Sequence, residues 1–141
     1  MILSMLRLTI RLSLLLLIVL TLAACGNSEP PHPSPVVLTE SGSGSKVVLN
    51  QGQTISVSLK ENPSTGYAWE IVPGAELYLS QQGASQFVSD SSNTAGAGGV
   101  RTFTYLAIAS GDCTLKLIYH QPWMTTVPPA NTFEVAITIS N

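Results

Sequence analysis

The sequence predicts an all-β protein, a β-sandwich of seven or eight short antiparallel strands. Apolar and polar residues alternate repeatedly after residue 45, and no segment there has the 3.6-residue period of an amphipathic helix. That part holds about 96 of the 141 residues, near the size of a small sandwich and too short for a barrel of eight strands and eight helices. Turn residues separate the alternating segments, as expected for two antiparallel sheets packed face to face.

The predicted strands differ in how clearly their residues alternate. The last is the clearest, and the strand at 67–72 carries Trp69 on its apolar face, where we expect a core residue. Residues 76–80 and 86–89 are weaker candidates. In chain order the predicted strands are 46–50, 53–60, 67–72, 76–80, 86–89, 101–109, 113–120 and 132–140.

The beginning of the chain has a different composition. Two arginines precede an apolar run, residues 12–22, which two alanines follow. This is the order of a secretory signal, and the run is too short for a transmembrane helix, which needs about 20 apolar residues. We therefore expect residues 1–24 to be a removable signal peptide.

The signal ends in Leu-Ala-Ala-Cys, residues 22–25, which resembles the lipobox of bacterial lipoproteins. The resemblance implies that Cys25 becomes the lipidated first residue of the mature protein and anchors it to a membrane of the bacterial cell envelope. Gly26, and not Asp, follows the Cys, and the resemblance to Gram-negative lipoproteins implies that this residue favours the outer membrane. The alternatives are an ordinary cleavage site that happens to precede a Cys, or an uncleaved signal anchor.

Residues 25–45 have the composition of a tether. Four prolines within residues 30–35 make a semi-rigid spacer, and the Ser-Gly run at 41–45 makes a flexible one. Residues 36–38, Val-Val-Leu, are either a first short strand or part of this tether. The folded domain is accordingly expected at 46–141.

The charge of the mature chain excludes one class of partner. Without Arg7 and Arg11 it has four basic and eight acidic side chains, a net charge of −4. Nucleic-acid binding needs a clustered basic surface, so we expect no nucleic-acid partner.

The residues also argue against an enzyme. Cys113 and His120 are seven apart on one strand and point to opposite faces, whereas a nucleophile needs its base within about 3 Å. The chain has no zinc-ligand spacing and no phosphate-binding Gly-Lys motif, so we expect no metal and no cofactor. With Cys25 lipidated, Cys113 has no disulfide partner and is expected to be a buried, inert thiol.

Three connections between strands are rich in residues that stiffen a loop or anchor a partner. The first, 62–67, reads Asn-Pro-Ser-Thr-Gly-Tyr, in which Pro fixes its own φ and Gly permits a positive φ. The second, 96–99, reads Gly-Ala-Gly-Gly, and its missing side chains allow another backbone to come close. The third begins Tyr-His-Gln-Pro-Trp at 119–123, and its Trp is an apolar anchor of the kind that dominates interfaces.

Together these loops resemble the chagasin family of cysteine protease inhibitors. That family has an Asn-Pro-x-Thr-Gly-aromatic loop with a following Trp, a Gly-x-Gly-Gly loop and an Arg-Pro-Trp loop, in this order, on an immunoglobulin-like sandwich. The resemblance covers about residues 46–140. It implies a reversible, tight-binding inhibitor whose three loops form a wedge that enters the active-site cleft of papain-like proteases. The sequence does not reveal the oligomeric state, and a monomer is expected by default.

The resemblance also implies which residues contact the protease. The first loop would cover the catalytic cysteine, and the other two would hold the cleft on either side. These protease-binding residues are Asn62, Pro63, Ser64, Thr65, Gly66, Tyr67, Gly96, Gly98, Gly99, Pro122 and Trp123.

The sequence departs from the family pattern at two positions. Ser64 stands where many members have Thr, and Gln121 occupies the position of the family's Arg, which removes a charge and a bidentate donor. Affinity and target range are therefore open, as is the natural protease, which is either bacterial or a host enzyme. The alternative function is a binding or structural module of the cell envelope without protease inhibition.

Overall fold

Nine β-strands form two sheets in the structure, a computed structural model that describes residues 33–91 and 94–141. Helical structure among these residues is limited to two short 3₁₀ turns. The strands are β1 (Val36–Thr39), β2 (Lys46–Asn50), β3 (Thr54–Glu61), β4 (Ala68–Val72), β5 (Leu79–Gln81), β6 (Gln86–Ser89), β7 (Gly99–Ala107), β8 (Gly111–His120) and β9 (Asn131–Ser140).

The predicted fold class, an all-β sandwich, is confirmed. One sheet has the order β1-β3-β7-β5, with β6 also paired to β7, and the other has the order β2-β9-β8-β4. Two pairings are parallel, β1 with β3 and β2 with β9, whereas we expected antiparallel strands throughout. After β1 the chain crosses to the other sheet and makes no hairpin, and alternation of side chains carries no information about such a crossing.

The sandwich begins at Val36 and not at Lys46. Residues 36–38, which the sequence left open, belong to β1, and just before them the Gln53 side chain donates to the Ser34 carbonyl at 2.7 Å. The Ser-Gly run is also attached to the sandwich by a hydrogen bond, because the Gly44 amide donates to the Glu134 carbonyl at 2.7 Å. Residues 36–45 are therefore part of the fold, and only the residues before them remain candidates for the tether.

The core lies between the two sheets and is filled by the inward residues of the alternating strands. Trp69 is buried there, as predicted, whereas Cys113 is only half-buried and packs at the margin of the core. The buried apolar residues are Leu49, Ile55, Val57, Leu59, Trp69, Ala75, Leu79, Phe103, Tyr105, Ala107, Leu115, Leu117, Phe133, Val135, Ile137 and Ile139.

Tyr105 gives the core a pH-dependent stability. Its hydroxyl has no hydrogen-bond partner among the described residues, and burial raises its pKa to about 12. An unfolded Tyr titrates near pH 10. The native state therefore keeps a proton that the unfolded state loses, and stability that is fully present below pH 10 is lost as the pH rises toward 12, by up to about 3 kcal/mol.

We expect the Tyr105→Phe variant to be at least as stable as the wild type at pH 7, because it removes a buried hydroxyl without a partner. Above pH 10 it should lose less stability than the wild type. Urea unfolding followed by fluorescence between pH 7 and 11.5 measures both effects, with Tyr78→Phe, a half-buried tyrosine, as the control. Parallel pH profiles for Tyr105→Phe and the wild type would contradict this role.

Candidate functional site

The first loop, residues 62–67, is held by hydrogen bonds within itself. The Asn62 side chain caps a 3₁₀ turn, Pro63–Thr65, and accepts from the Ser64 amide at 3.1 Å and the Ser64 hydroxyl at 2.6 Å. The Thr65 hydroxyl donates to the Asn62 carbonyl at 2.6 Å. Short polar side chains that bond to nearby backbone stabilise such turns, so this exposed tip has a defined conformation.

Gly66 ends that turn in a conformation that other residues rarely adopt. Its φ is +77°, in the left-handed region. A Cβ built on it would overlap the Trp123 ring, lying 3.0 Å from Cζ2 and closer still to Cη2. Two features therefore require glycine at position 66: its positive φ and the close approach of the third loop.

The second loop lies beside the first. The Ser64 hydroxyl lies 3.3 Å from the Gly96 carbonyl, within hydrogen-bond distance, and Gly98 lies against the backbone of Glu61. Gly99 differs from the other two, because it is buried as the first residue of β7, where a Cβ would lie 2.7 Å from the Phe87 ring and overlap the Val88 carbonyl. The structure thus gives Gly99 a packing role in the sheet, and its contact with a protease stays a prediction.

The third loop, residues 121–130, connects β8 to β9 and reaches the first loop from the other side. The Gln121 side chain donates to the Thr65 carbonyl at 3.2 Å, and Pro122 beside it is exposed. Trp123 lies against Gly66 and still exposes 67% of its surface. The three loops are therefore adjacent, with the first in the middle.

Three aromatic rings support the first loop from the core side. The Tyr119 ring centroid is 5.3 Å from that of Tyr67 and 5.1 Å from that of Trp69. The Tyr119 hydroxyl oxygen accepts from the Asn62 amide at 3.2 Å. Tyr67, at the end of the first loop, is half-buried by this stack, so it connects the loop to the core.

The structure adds two residues that the sequence did not predict for the site. Gln121 was set aside because it lacks the charge of the family's Arg, yet its amide joins the third loop to the first. Tyr119 was only the beginning of a loop motif in the sequence. Its inward position in β8, in register with Trp69, is the signal that could have identified it.

The described residues do not bring the thiol and the imidazole named by the sequence together at the site. The Cys113 thiol is at the far end of β8 from His120, and burial together with the charge of Asp112 raises its pKa, which lowers its nucleophilicity at neutral pH. The His120 ring is within 2.6 Å of the Glu70 carboxylate. In the part of the chain that the structure describes, no group of three or more His, Cys, Asp or Glu residues could hold a metal ion.

Known proteins are similar to this chain in both sequence and fold. The model of the chagasin family peptidase inhibitor I42 matches residues 48–137. Amoebiasin-2 of Entamoeba histolytica is 26% identical over 103 residues, 73% of this chain and 84% of that protein. Chagasin of Trypanosoma cruzi is 26% identical over 89 residues, 61% of this chain and 81% of that protein.

Solved structures agree with the sequence relatives. The crystal structure of a cysteine protease inhibitor from Entamoeba histolytica matches with a TM-score of 0.70 at 26% identity, covering 78% of this chain and 99% of that chain. The solution structure of Amebosin matches with a TM-score of 0.60 at 25% identity, covering 76% of this chain and 100% of that chain. Since the family model also spans well over half of the residues, the chain belongs to the chagasin family of peptidase inhibitors, which confirms the prediction of an inhibitor and not an enzyme.

Proposed function

We propose that this protein inhibits papain-like cysteine proteases by inserting its three loops, as one wedge, into the active-site cleft. The observation that carries the proposal is the contact of the first loop with both others, through Ser64 to Gly96 on one side and Gln121 to Thr65 on the other. A relative with the same fold is itself named a cysteine protease inhibitor.

The wedge presents a narrow, exposed edge. Pro63, Ser64 and Thr65 at its tip are all exposed, and so are Gly96 and Trp123 on its two flanks. In this proposal the tip covers the catalytic cysteine of the protease, and the flanks contact the walls of the cleft. Trp123 supplies a large apolar contact of the kind that contributes most to interface affinity.

Inhibition of this kind needs no chemistry, only burial of the cleft by loops that are already ordered. The hydrogen bonds inside the first loop and between the loops restrict the free protein to the binding geometry. Rigid loops lose little conformational entropy on association. The inhibition is therefore competitive with substrate and reversible.

The test is titration of residues 33–141 against papain with a small fluorogenic substrate. The expected result is tight competitive inhibition, with the inhibitor recovered uncleaved and the protease active again after dilution. Circular dichroism first establishes that the domain is folded. A folded domain that leaves papain uninhibited at micromolar concentration would contradict the proposal and favour the envelope-binding alternative.

We also propose that Cys25 carries a lipid that holds the inhibitor on a membrane of the bacterial cell envelope, the outer membrane being favoured. The residues 22–25 that suggest it lie outside the described residues. In the part that is described, no helix is long and apolar enough to cross a membrane.

The direction of β1 supports an anchor that leaves the wedge free. β3 runs from Thr54 toward Glu61 and leads directly into the first loop. β1 is parallel to β3, with Val36 opposite Ile55, so the chain enters the sandwich at the end away from the three loops. An anchored protein would keep its wedge accessible to proteases.

The anchor is tested by the Cys25→Ala variant, expressed in a Gram-negative bacterium. The wild type should be found in the membrane fraction with an acylated N-terminal Cys by mass spectrometry, and washed membranes should inhibit papain. The Cys25→Ala variant should show no acylation by mass spectrometry. A wild type that is cleaved but not acylated, and soluble, would show an ordinary signal peptide.

A further inference from the structure

An ion pair whose carboxylate is buried lies directly beneath the first two loops, and the side chain of its arginine, Arg101, is 24% exposed. Glu61 is the last residue of β3, and its side chain is only 1% exposed. Its carboxylate accepts from Arg101 Nε at 2.9 Å and from Arg101 Nη2 at 2.5 Å, a two-pronged geometry. The same carboxylate lies 3.4 Å from the Trp69 amide, so a single buried group has three polar contacts.

These contacts connect the strand ends on both sides of the first loop. Glu61 directly precedes Asn62, and Trp69 lies just after the loop has entered β4. The Trp69 indole N–H also donates to the Lys60 carbonyl at 2.8 Å. The two ends of the loop are therefore joined by a side chain from each of them.

Arg101 extends the connection to the second loop. It lies in β7, two residues after Gly99, which is opposite Glu61 in the sheet register. Its guanidinium packs over the Phe87 ring at 5.3 Å, and Phe87 is in β6, the strand that precedes the second loop. The strands that enter and leave the second loop thus meet at Arg101, and through it at Glu61.

Such a pair is a costly way to stabilise a core, because buried charges lose hydration and well-packed apolar residues often serve as well. The pair contributes geometric specificity, since a bidentate Arg–carboxylate pair fixes the relative orientation of the two groups as well as their distance. Here that geometry sets the spacing between the bases of the two loops.

We propose that Glu61 and Arg101 are positioning residues of the inhibitor: their ion pair sets the first and second loops in the arrangement that enters the protease. The inference rests on the proposed function. Neither residue belongs to the exposed wedge, so both act through the loops, and their loss lowers the fraction of molecules that are ready to bind. Apparent affinity falls in proportion to that fraction.

The test uses three variants of the full chain. Glu61→Gln preserves the size of the side chain, Arg101→Lys preserves its charge, and the third is the double variant. The matched control is Glu134→Gln, which breaks the exposed ion pair between Glu134 (51% exposed) and Lys116 (42% exposed) on the other sheet. Thermal unfolding first shows which proteins are folded at the assay temperature. Papain inhibition is then resolved into association and dissociation rates.

The expected result is at least a tenfold rise in the inhibition constant for each single variant, mainly through slower association. The double variant should lose little more than the single ones, because both remove the same interaction, and the control should inhibit as the wild type does. Folded variants with unchanged association rates would overturn the proposal and leave the pair a purely structural role.

Hydrogen exchange of the loop amides gives a readout that does not depend on any protease. Faster exchange at Ser64, Gly66 and Thr65 in Glu61→Gln, with the core amides still protected, is expected. If the wild type itself did not inhibit papain, the proposed function would fail, and the exchange data would still decide whether the pair orders the loops. Unchanged loop exchange in folded variants would overturn the proposal.

Discussion

Replacing Gly66 by Val should reduce papain inhibition at least a hundredfold, which corresponds to about 3 kcal/mol. The φ of +77° is unfavourable for a β-branched residue, and the new Cβ would overlap the Trp123 ring. The first loop must therefore change its backbone, the third loop must move away, or both. Either change separates the central element of the wedge from one of its flanks.

A second glycine separates the effect of φ from the effect of the ring. Gly52 has a φ of +84°, but nothing lies within 4 Å of a Cβ built on it, and it is in the turn before β3, at the end of the sandwich away from the loops. Gly52→Val should lower the melting temperature and leave the inhibition constant unchanged. Equal loss of inhibition in both variants would show that global destabilisation, and not the wedge, explains the result for Gly66.

The strands were predictable because one face of each is buried. In β9, for example, Phe133 and Val135 are buried while Glu134 between them is exposed, and a period of two encodes only this difference. The same signal could not reveal that β2 pairs in parallel with β9. Pairing direction depends on where the chain crosses between the sheets, and that crossing is made by the polar Ser-Gly run, which has no pattern.

The candidate site was predictable where local chemistry fixes a loop. Asn62 and Gly66 have the roles that their residue types indicate, a capping acceptor and a left-handed residue. Glu61 was not predictable, because a charged residue at the end of a strand is usually solvated. Its burial depends on Arg101, 40 residues later in the chain, and only the paired strands bring the two together.

Removing the indole of Trp123 should weaken inhibition by roughly 2 kcal/mol or more, about thirtyfold in the inhibition constant. Trp123 exposes 67% of its surface in the free protein, so binding can bury most of the ring. The Trp123→Ala variant should remain folded, because little core packing is lost, and the loss should appear as faster dissociation. Stopped-flow or surface-based binding to papain measures that rate.

An exposed apolar residue elsewhere provides the control for Trp123. Leu77 is 79% exposed and precedes β5, at the end of the sandwich away from the loops. Leu77→Ala should not change either rate constant. If Trp123→Ala also left both unchanged in folded protein, the third loop would not be part of the inhibitory surface.

The two largest effects are coupled through one contact, and that coupling is itself measurable. Because a Cβ at Gly66 overlaps the Trp123 ring, adding Gly66→Ala to Trp123→Ala should cost less than Gly66→Ala costs in the wild type, and only the strain of the positive φ should remain. Substitutions at sites that share a contact are not additive, and a non-additive cycle would show that the two residues affect inhibition through their mutual contact. Additive losses would mean that the ring does not lie against Gly66 in the complex, and that the first and third loops act independently on the protease.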